Sequence, residues 1–133
     1  MVMRFLLSII MFFAFAATAQ AEWSNNYWQS LEKAKAEKKF VFLYLTQNNC
    51  PWCDRFEQTL AHPYLKKYIE TYYVPCKVNI NRQPAIHRGF KPYLKGCPAY
   101  YIINNQQKIR ANSQGYRTPI EFARWNDAIW RKK

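Results

Sequence analysis

Glycine is scarce, with three in 133 residues, which excludes a collagen-like or low-complexity chain, and no fixed-period self-similarity supports a solenoid. Acidic residues are also few: 8 Asp plus Glu face 20 Lys plus Arg, for a formal charge of +12. Histidine occurs only at His62 and His87, without the spacing of a metal-ligand set. Long apolar runs are confined to the first 21 residues. Aromatic surface is abundant, with 5 Trp, 10 Tyr and 9 Phe. That much buriable area excludes a disordered chain, and the length allows one domain at most.

The first residues stand apart from that domain. Arg4 precedes an apolar run over 5–17 broken only by Ser8, and Ala19-Gln20-Ala21 places small residues where a signal peptidase reads. The uncharged stretch ends at Glu22, short of the roughly 20 residues that span a bilayer. We therefore expect a signal peptide over 1–21, a mature domain over 22–133, a periplasmic or secreted location, and no stable membrane insertion after cleavage. The dispersed basic surface then steers acidic proteins or an anionic membrane face, and export makes nucleic acid an improbable partner.

Within the mature part, Tyr27, Leu31 and Ala34 recur at i, i+4 and i+7 between charged residues, the period of an amphipathic helix. The run Phe-Val-Phe-Leu-Tyr-Leu over 40–45 shows no alternation and predicts a central strand covered on both faces. After a polar loop, a helix starts at Cys50 with Pro51 at its first position, where a missing N–H costs nothing, and ends near Leu60. A second short helix covers 63–70. Residues 72–80 predict another inner strand, with Val74, Cys76, Val78 and Ile80 on one face. The stretch 84–93 is helix or irregular. Residues 99–103, the turn-forming Asn104-Asn105, and 108–111 predict a hairpin that Gly115 terminates. Thr118-Pro119-Ile120-Glu121 is a capping box for a last helix striped by Phe122, Trp125, Ile129 and Trp130. The predicted class is α/β, a central mixed β-sheet flanked by helices on both faces.

Four cysteines, Cys50, Cys53, Cys76 and Cys97, lie in this domain. In an oxidising compartment an even count suggests a disulfide framework with three connectivities, but a chain of this size builds a core without staples, so spacing matters more than number. Cys50-Pro51-Trp52-Cys53 stands where a buried strand hands over to a helix. Positions i and i+3 on a first helical turn put two sulfurs on one face within disulfide reach. The helix N-terminus offers Cys50 unpaired N–H groups and the positive end of the dipole, which favours its thiolate. Cys50 is then the nucleophile and Cys53, one turn in, the resolving thiol. As a staple the pair is poor, because a four-residue loop constrains little chain entropy.

These residues resemble an exported thioredoxin-fold protein, in the subgroup typified by the C-terminal periplasmic domain of the thiol-reductant transporter DsbD. The likeness is carried by Trp23, the strand 40–45, Cys50-Pro51-Trp52-Cys53 with Glu57, His62-Pro63-Tyr64-Leu65, Val78-Asn79-Ile80-Asn81, Gly96-Cys97-Pro98-Ala99-Tyr100 and Gly115-Tyr116. It implies a thioredoxin fold, a cis Pro98 facing the disulfide, and substrate peptide pairing with the backbone before that proline. The implied activity is thiol–disulfide exchange with cysteine-containing exported proteins, without a cofactor. Pro51-Trp52 lacks the His of strongly oxidising relatives, which favours a reductase fed by a membrane thiol-reductant transporter.

Three positions depart from the family pattern. Tyr44 replaces the acid that many relatives bury six residues before the nucleophile, and a phenol is a poor base near neutrality. Glu57, with Lys77 nearby, is expected to take over its proton-relay role. Cys97 stands where relatives carry Thr, Val or Ile, and we expect it to pack as a small apolar residue. Asn49 replaces a rim Trp, for which Trp52 compensates on the substrate side. Cys76 reads as a buried free thiol too far from Cys97 to bridge. Two other classes remain: a Cu(I) or Zn(II) module using Cys50, Cys53 and Cys97, and a non-catalytic peptide-binding domain.

Overall fold

The computed structural model describes residues 23–131, so the expected leader over 1–21 lies outside the described residues. Helix α1 (Tyr27–Glu37) opens at Asn26, whose side chain accepts the Gln29 N–H at 3.0 Å, and closes at Lys38 in the left-handed region. Strand β1 (Phe40–Thr46) is buried from Val41 onwards, as an unbroken apolar run requires of a strand covered twice. Helices α2 (Pro51–Leu60) and α3 (Pro63–Tyr72) carry the chain to β2 (Tyr73–Asn79). Then follow α4 (Pro84–Phe90), a 3₁₀ turn (Lys91–Tyr93), β3 (Ala99–Ile103), β4 (Ile109–Gln114) and α5 (Pro119–Arg131).

The strands form one sheet in the order β2-β1-β3-β4, with β1 parallel to β2 and antiparallel to β3, and β3 antiparallel to β4. The parallel pair needs a crossover, which α2 and α3 supply. Strand alternation divides the interior into two cores. One holds Leu31, Val41, Leu43, Val74, Cys76, Val78, Ile86 and Tyr101 beneath α1 and α4. The other, rich in aromatics, holds Phe42, Tyr44, Phe56, Tyr73, Tyr100 and Phe122 beneath α2, α3 and α5. Phe56 stacks on Tyr100 with centroids 4.6 Å apart, which seats α2 on the sheet. This is the expected sheet with helices on both faces.

Four local expectations are corrected. Residues 72–80, expected as another inner strand, form β2 at the edge of the sheet, where among the described residues only a short bridge from Ser24 meets its outer side. Strand β4 runs on to Gln114 rather than ending near Ala111. It is an edge strand whose alternate residues face solvent, so Asn112 and Gln114 belong to it without an apolar signal. The hairpin loop is longer than an Asn-Asn turn: Asn104 Oδ1 accepts the N–H of Gln106 and of Lys108, with Gln107 left-handed between them. In α5 the interior includes a polar residue, Asn126, whose Oδ1 accepts the Tyr73 hydroxyl proton. Trp130, expected in the apolar stripe, remains 43% exposed, leaning on Phe40 and donating its indole N–H to Tyr73 at 2.7 Å.

Candidate active site

Strand β1 delivers the chain to one end of the sheet, where Asn49 takes a left-handed conformation (φ 52°) that this residue type tolerates. The turn makes Cys50 the N-cap of α2, with Pro51 at the first helical position. Cys50 Sγ accepts the Cys53 N–H at 3.2 Å, a contact usually made by a Ser or Asp oxygen. Cys50 and Cys53 are joined as a disulfide, with Cα atoms 5.2 Å apart. Exposure distinguishes them: Cys50 retains 8% of its surface and Cys53 1%. The outer sulfur is the one a second molecule reaches, and in the dithiol form the helix terminus stabilises its thiolate.

The segment ahead of β3 faces this sulfur. The Cys97–Pro98 peptide is cis, and the Cys97 carbonyl oxygen lies 3.8 Å from Cys50 Sγ. A backbone group therefore faces the disulfide, while Cys97 itself is a free thiol packed against the α1/α4 core. Burial pushes its pKa up, so it stays protonated near neutrality. Cys76 is likewise free and wholly buried in β2. Burial raises its pKa, against a smaller opposing effect from a hydrogen bond with Ser30. Strand β1 separates β2 from β3, and the register sets Cys76 level with Tyr101, four residues along from Cys97, so the two free thiols are too far apart to bridge.

Beneath Cys53, three polar side chains from different elements converge. The Tyr44 hydroxyl lies 3.4 Å from both the Cys53 carbonyl oxygen and Glu57 Oε2. Glu57 forms an ion pair with Lys77 of β2. Burial, chiefly, drives the Tyr44 phenol far above its ordinary pKa, so it remains a neutral hydrogen-bonding group. A cleft of about 390 Å³, lined by Trp23, Tyr44, Glu57, Leu60, Lys66 and Lys77, opens this cluster to water. Above the disulfide, Trp52 is 53% exposed beside Tyr116, with ring centroids 6.0 Å apart.

Cys50, Cys53, Trp52, Cys97 and Pro98 are thus brought to one rim, and Glu57 lies beneath it with Tyr44 and Lys77. Arg55 and Tyr116 complete the rim, and no sequence signal placed them there: they are about 60 positions apart and meet only through tertiary packing. Among the described residues, no three His, Cys, Asp or Glu side chains converge to hold a metal ion. No helix among them is long and apolar enough to cross a membrane.

A family model described as a thioredoxin-like domain matches residues 27–130. The chain belongs to that family. Its structure is similar to a thioredoxin from Thermus thermophilus, with TM-score 0.72, 19% identity, and coverage of 85% of this chain and 89% of that one. It is also similar to the oxidised C-terminal domain of DsbD from Neisseria meningitidis, with TM-score 0.65, 16% identity, and coverage of 80% and 98%. The DsbH oxidoreductase gives TM-score 0.67 at 16% identity, with coverage of 84% and 85%. No curated protein sequence matches. At such identities these structures speak for the fold. In this thioredoxin-like domain, the Cys50–Cys53 pair at a helix N-terminus makes thiol–disulfide exchange the chemistry of the site.

Proposed function

We propose that the protein is an exported thiol–disulfide reductase acting on cysteine-containing proteins of the same compartment. The carrying observation is the asymmetry of the pair: Cys50, which caps the helix, keeps a little exposed surface, and Cys53 has almost none. The Cys50 thiolate attacks one sulfur of a substrate disulfide, forming a mixed disulfide and releasing one substrate thiolate. Cys53 then loses its proton and attacks Cys50 Sγ, closing the intramolecular disulfide and releasing the second substrate thiolate. Two electrons pass from the protein to the substrate, and a dithiol donor must return them. The leader over 1–21 supports export, and a membrane thiol-reductant transporter is the donor this reading favours.

Glu57 is the proposed acceptor of the Cys53 proton, with Lys77 holding the carboxylate in place and the neutral Tyr44 hydroxyl in contact with the Cys53 carbonyl and with Glu57. The Cys97 carbonyl, opposite Cys50, suits the pairing of an extended substrate backbone. Reduction of insulin with dithiothreitol as donor, alongside Cys50→Ser, tests the activity. Turnover that depends on Cys50, with a potential well below that of strong oxidants against glutathione, is the expected result. Equal rates in both proteins refute the function, and a strongly oxidising potential refutes the direction.

A further inference from the structure

The rim beside Cys50 carries a cation that no acid answers. Arg55 Cζ lies 5.1 Å from the Trp52 ring centroid and 6.0 Å from that of Tyr116, so two exposed aromatics hold the guanidinium. Among the described residues the ion pairs join Lys77 to Glu57 and Arg131 to Asp127, and neither involves Arg55. Asp54 is adjacent in sequence, but consecutive helical residues do not face each other. A guanidinium that uses its faces for stacking keeps the N–H groups of its edge free for a carboxylate.

The backbone spacing along α2 bounds where that carboxylate lies. From Cys50, the N-cap, to Arg55 the backbone of α2 rises about 7.5 Å, an outer bound because the Arg55 side chain reaches back over Trp52. Two to three residues of extended peptide, at about 3.3 Å each, cover the same span. We propose that this rim selects extended segments of partner proteins bearing Asp or Glu two or three positions from the reactive cysteine. The carboxylate accepts hydrogen bonds from Arg55, while the intervening side chain lies on Trp52 and Tyr116. The inference rests on the exchange reaction proposed above and specifies its substrate. The +12 charge of the chain attracts acidic partners diffusely; Arg55 fixes one carboxylate in position.

The test uses disulfide-linked homodimers of a short cysteine peptide, with Glu, Gln or Lys at two and three positions from the cysteine. Second-order rate constants for their reduction by the prereduced protein are measured at low ionic strength. Comparing ratios between protein variants cancels any effect of the charge on the peptide thiol itself. Arg55→Gln is expected to lower the Glu-over-Gln rate ratio about threefold to fivefold, the range of an exposed ion pair. Arg55→Glu is expected to turn the preference towards the Lys peptide. Lys67→Glu, on the exposed side of α3, makes the same change in net charge and is expected to leave the ratio unaltered. An unchanged ratio in Arg55→Gln, or an equal shift in Lys67→Glu, overturns the proposal. Reduction of all peptides without discrimination sinks the acidic selection alone, whereas failure to reduce any of them sinks the exchange reaction with it.

Discussion

Replacing Glu57 by Gln removes the proposed proton acceptor while keeping the shape of the side chain, and two magnitudes separate a chemical effect from a structural one. The Glu57 and Lys77 side chains are 33% and 42% exposed, so breaking their ion pair costs at most about 1 kcal/mol of stability. Loss of a general base typically costs a factor of 10² to 10⁴ in rate. Tyr44 meets the Cys53 carbonyl rather than its thiol, and both its contacts are long, at 3.4 Å, which places the expected loss near the lower end, about 100-fold or about 2.7 kcal/mol of barrier. The step to follow is resolution: Cys50 is loaded with a chromogenic thiol, and its release by Cys53 is timed under single-turnover conditions across neutral and alkaline pH. Glu57→Gln should be slowest relative to the parent near neutrality and converge with it at higher pH, where hydroxide deprotonates Cys53. Tyr44→Phe should lie between them. A pH–rate profile for Glu57→Gln that superimposes on the parent refutes the relay, and a loss matched by melting at the assay temperature assigns the effect to folding.

Phe56→Ala removes a fully buried ring stacked on Tyr100 and edge-on to Tyr44, and should destabilise the protein by about 3–5 kcal/mol in denaturant titrations; an unchanged midpoint contradicts this packing account. Alkaline stability should fall between about pH 10 and pH 12. Burial first, and then neighbouring Cys97, push Tyr101 up to about 12, so the unfolded chain ionises first and a two-unit gap costs about 2.7 kcal/mol by the upper end of that window. The buried Tyr44, Tyr73 and Tyr100 are raised in the same direction and add to the loss; an unfolding midpoint that holds or rises over this range refutes the sign. In air-oxidised Cys53→Ser, peptide mapping should find Cys50 in intermolecular disulfides and Cys97 free, because a carbonyl rather than the Cys97 thiol faces Cys50. A recovered Cys50–Cys97 peptide contradicts that geometry.

Local chemistry made much of the fold legible before any contact was known. Pro51, Pro63 and Pro119 each open a helix, as does Pro84 in a stretch whose pattern reads as helix or irregular, because a residue without an N–H is tolerated where that N–H has no partner. The apolar run of β1 identified a strand of the sheet interior, whereas the same kind of pattern over 72–80 suggested another inner strand and β2 lies at the sheet edge, buried by helices rather than by a further strand. Strand β4 was only partly legible, since an edge strand buries one side of alternate residues and its polar half resembles a loop. Asn126 was illegible for a different reason: a polar residue in a helix is ordinarily solvated, and only Tyr73, 53 positions away, provides the donor that lets it be buried. The same division runs through the site. Cys50 and Cys53 are specified by a four-residue motif, whereas the Arg55 stack depends on the loop after β4 reaching the first turns of α2.

The exchange of an acid for Tyr44 has a physical logic once its neighbours are known. At that position the side chain is fully buried and meets the Phe56 ring at 5.5 Å, so a carboxylate there would lose its hydration among aromatics. A phenol fills the same volume, stays neutral and still offers one hydroxyl towards Cys53 and Glu57. Glu57 brings its carboxylate to this hydroxyl from α2 rather than from β1, remains partly hydrated, and has Lys77 as a counter-charge. The cleft beside them opens Glu57 to water, the route by which a proton accepted from Cys53 in the proposed relay would leave. Returning an acid to the interior by Tyr44→Asp should therefore destabilise the oxidised protein without restoring the resolution rate lost in Glu57→Gln. Full rescue in the double variant would show that the buried position alone suffices, and that Glu57 has no special place in the proton's path.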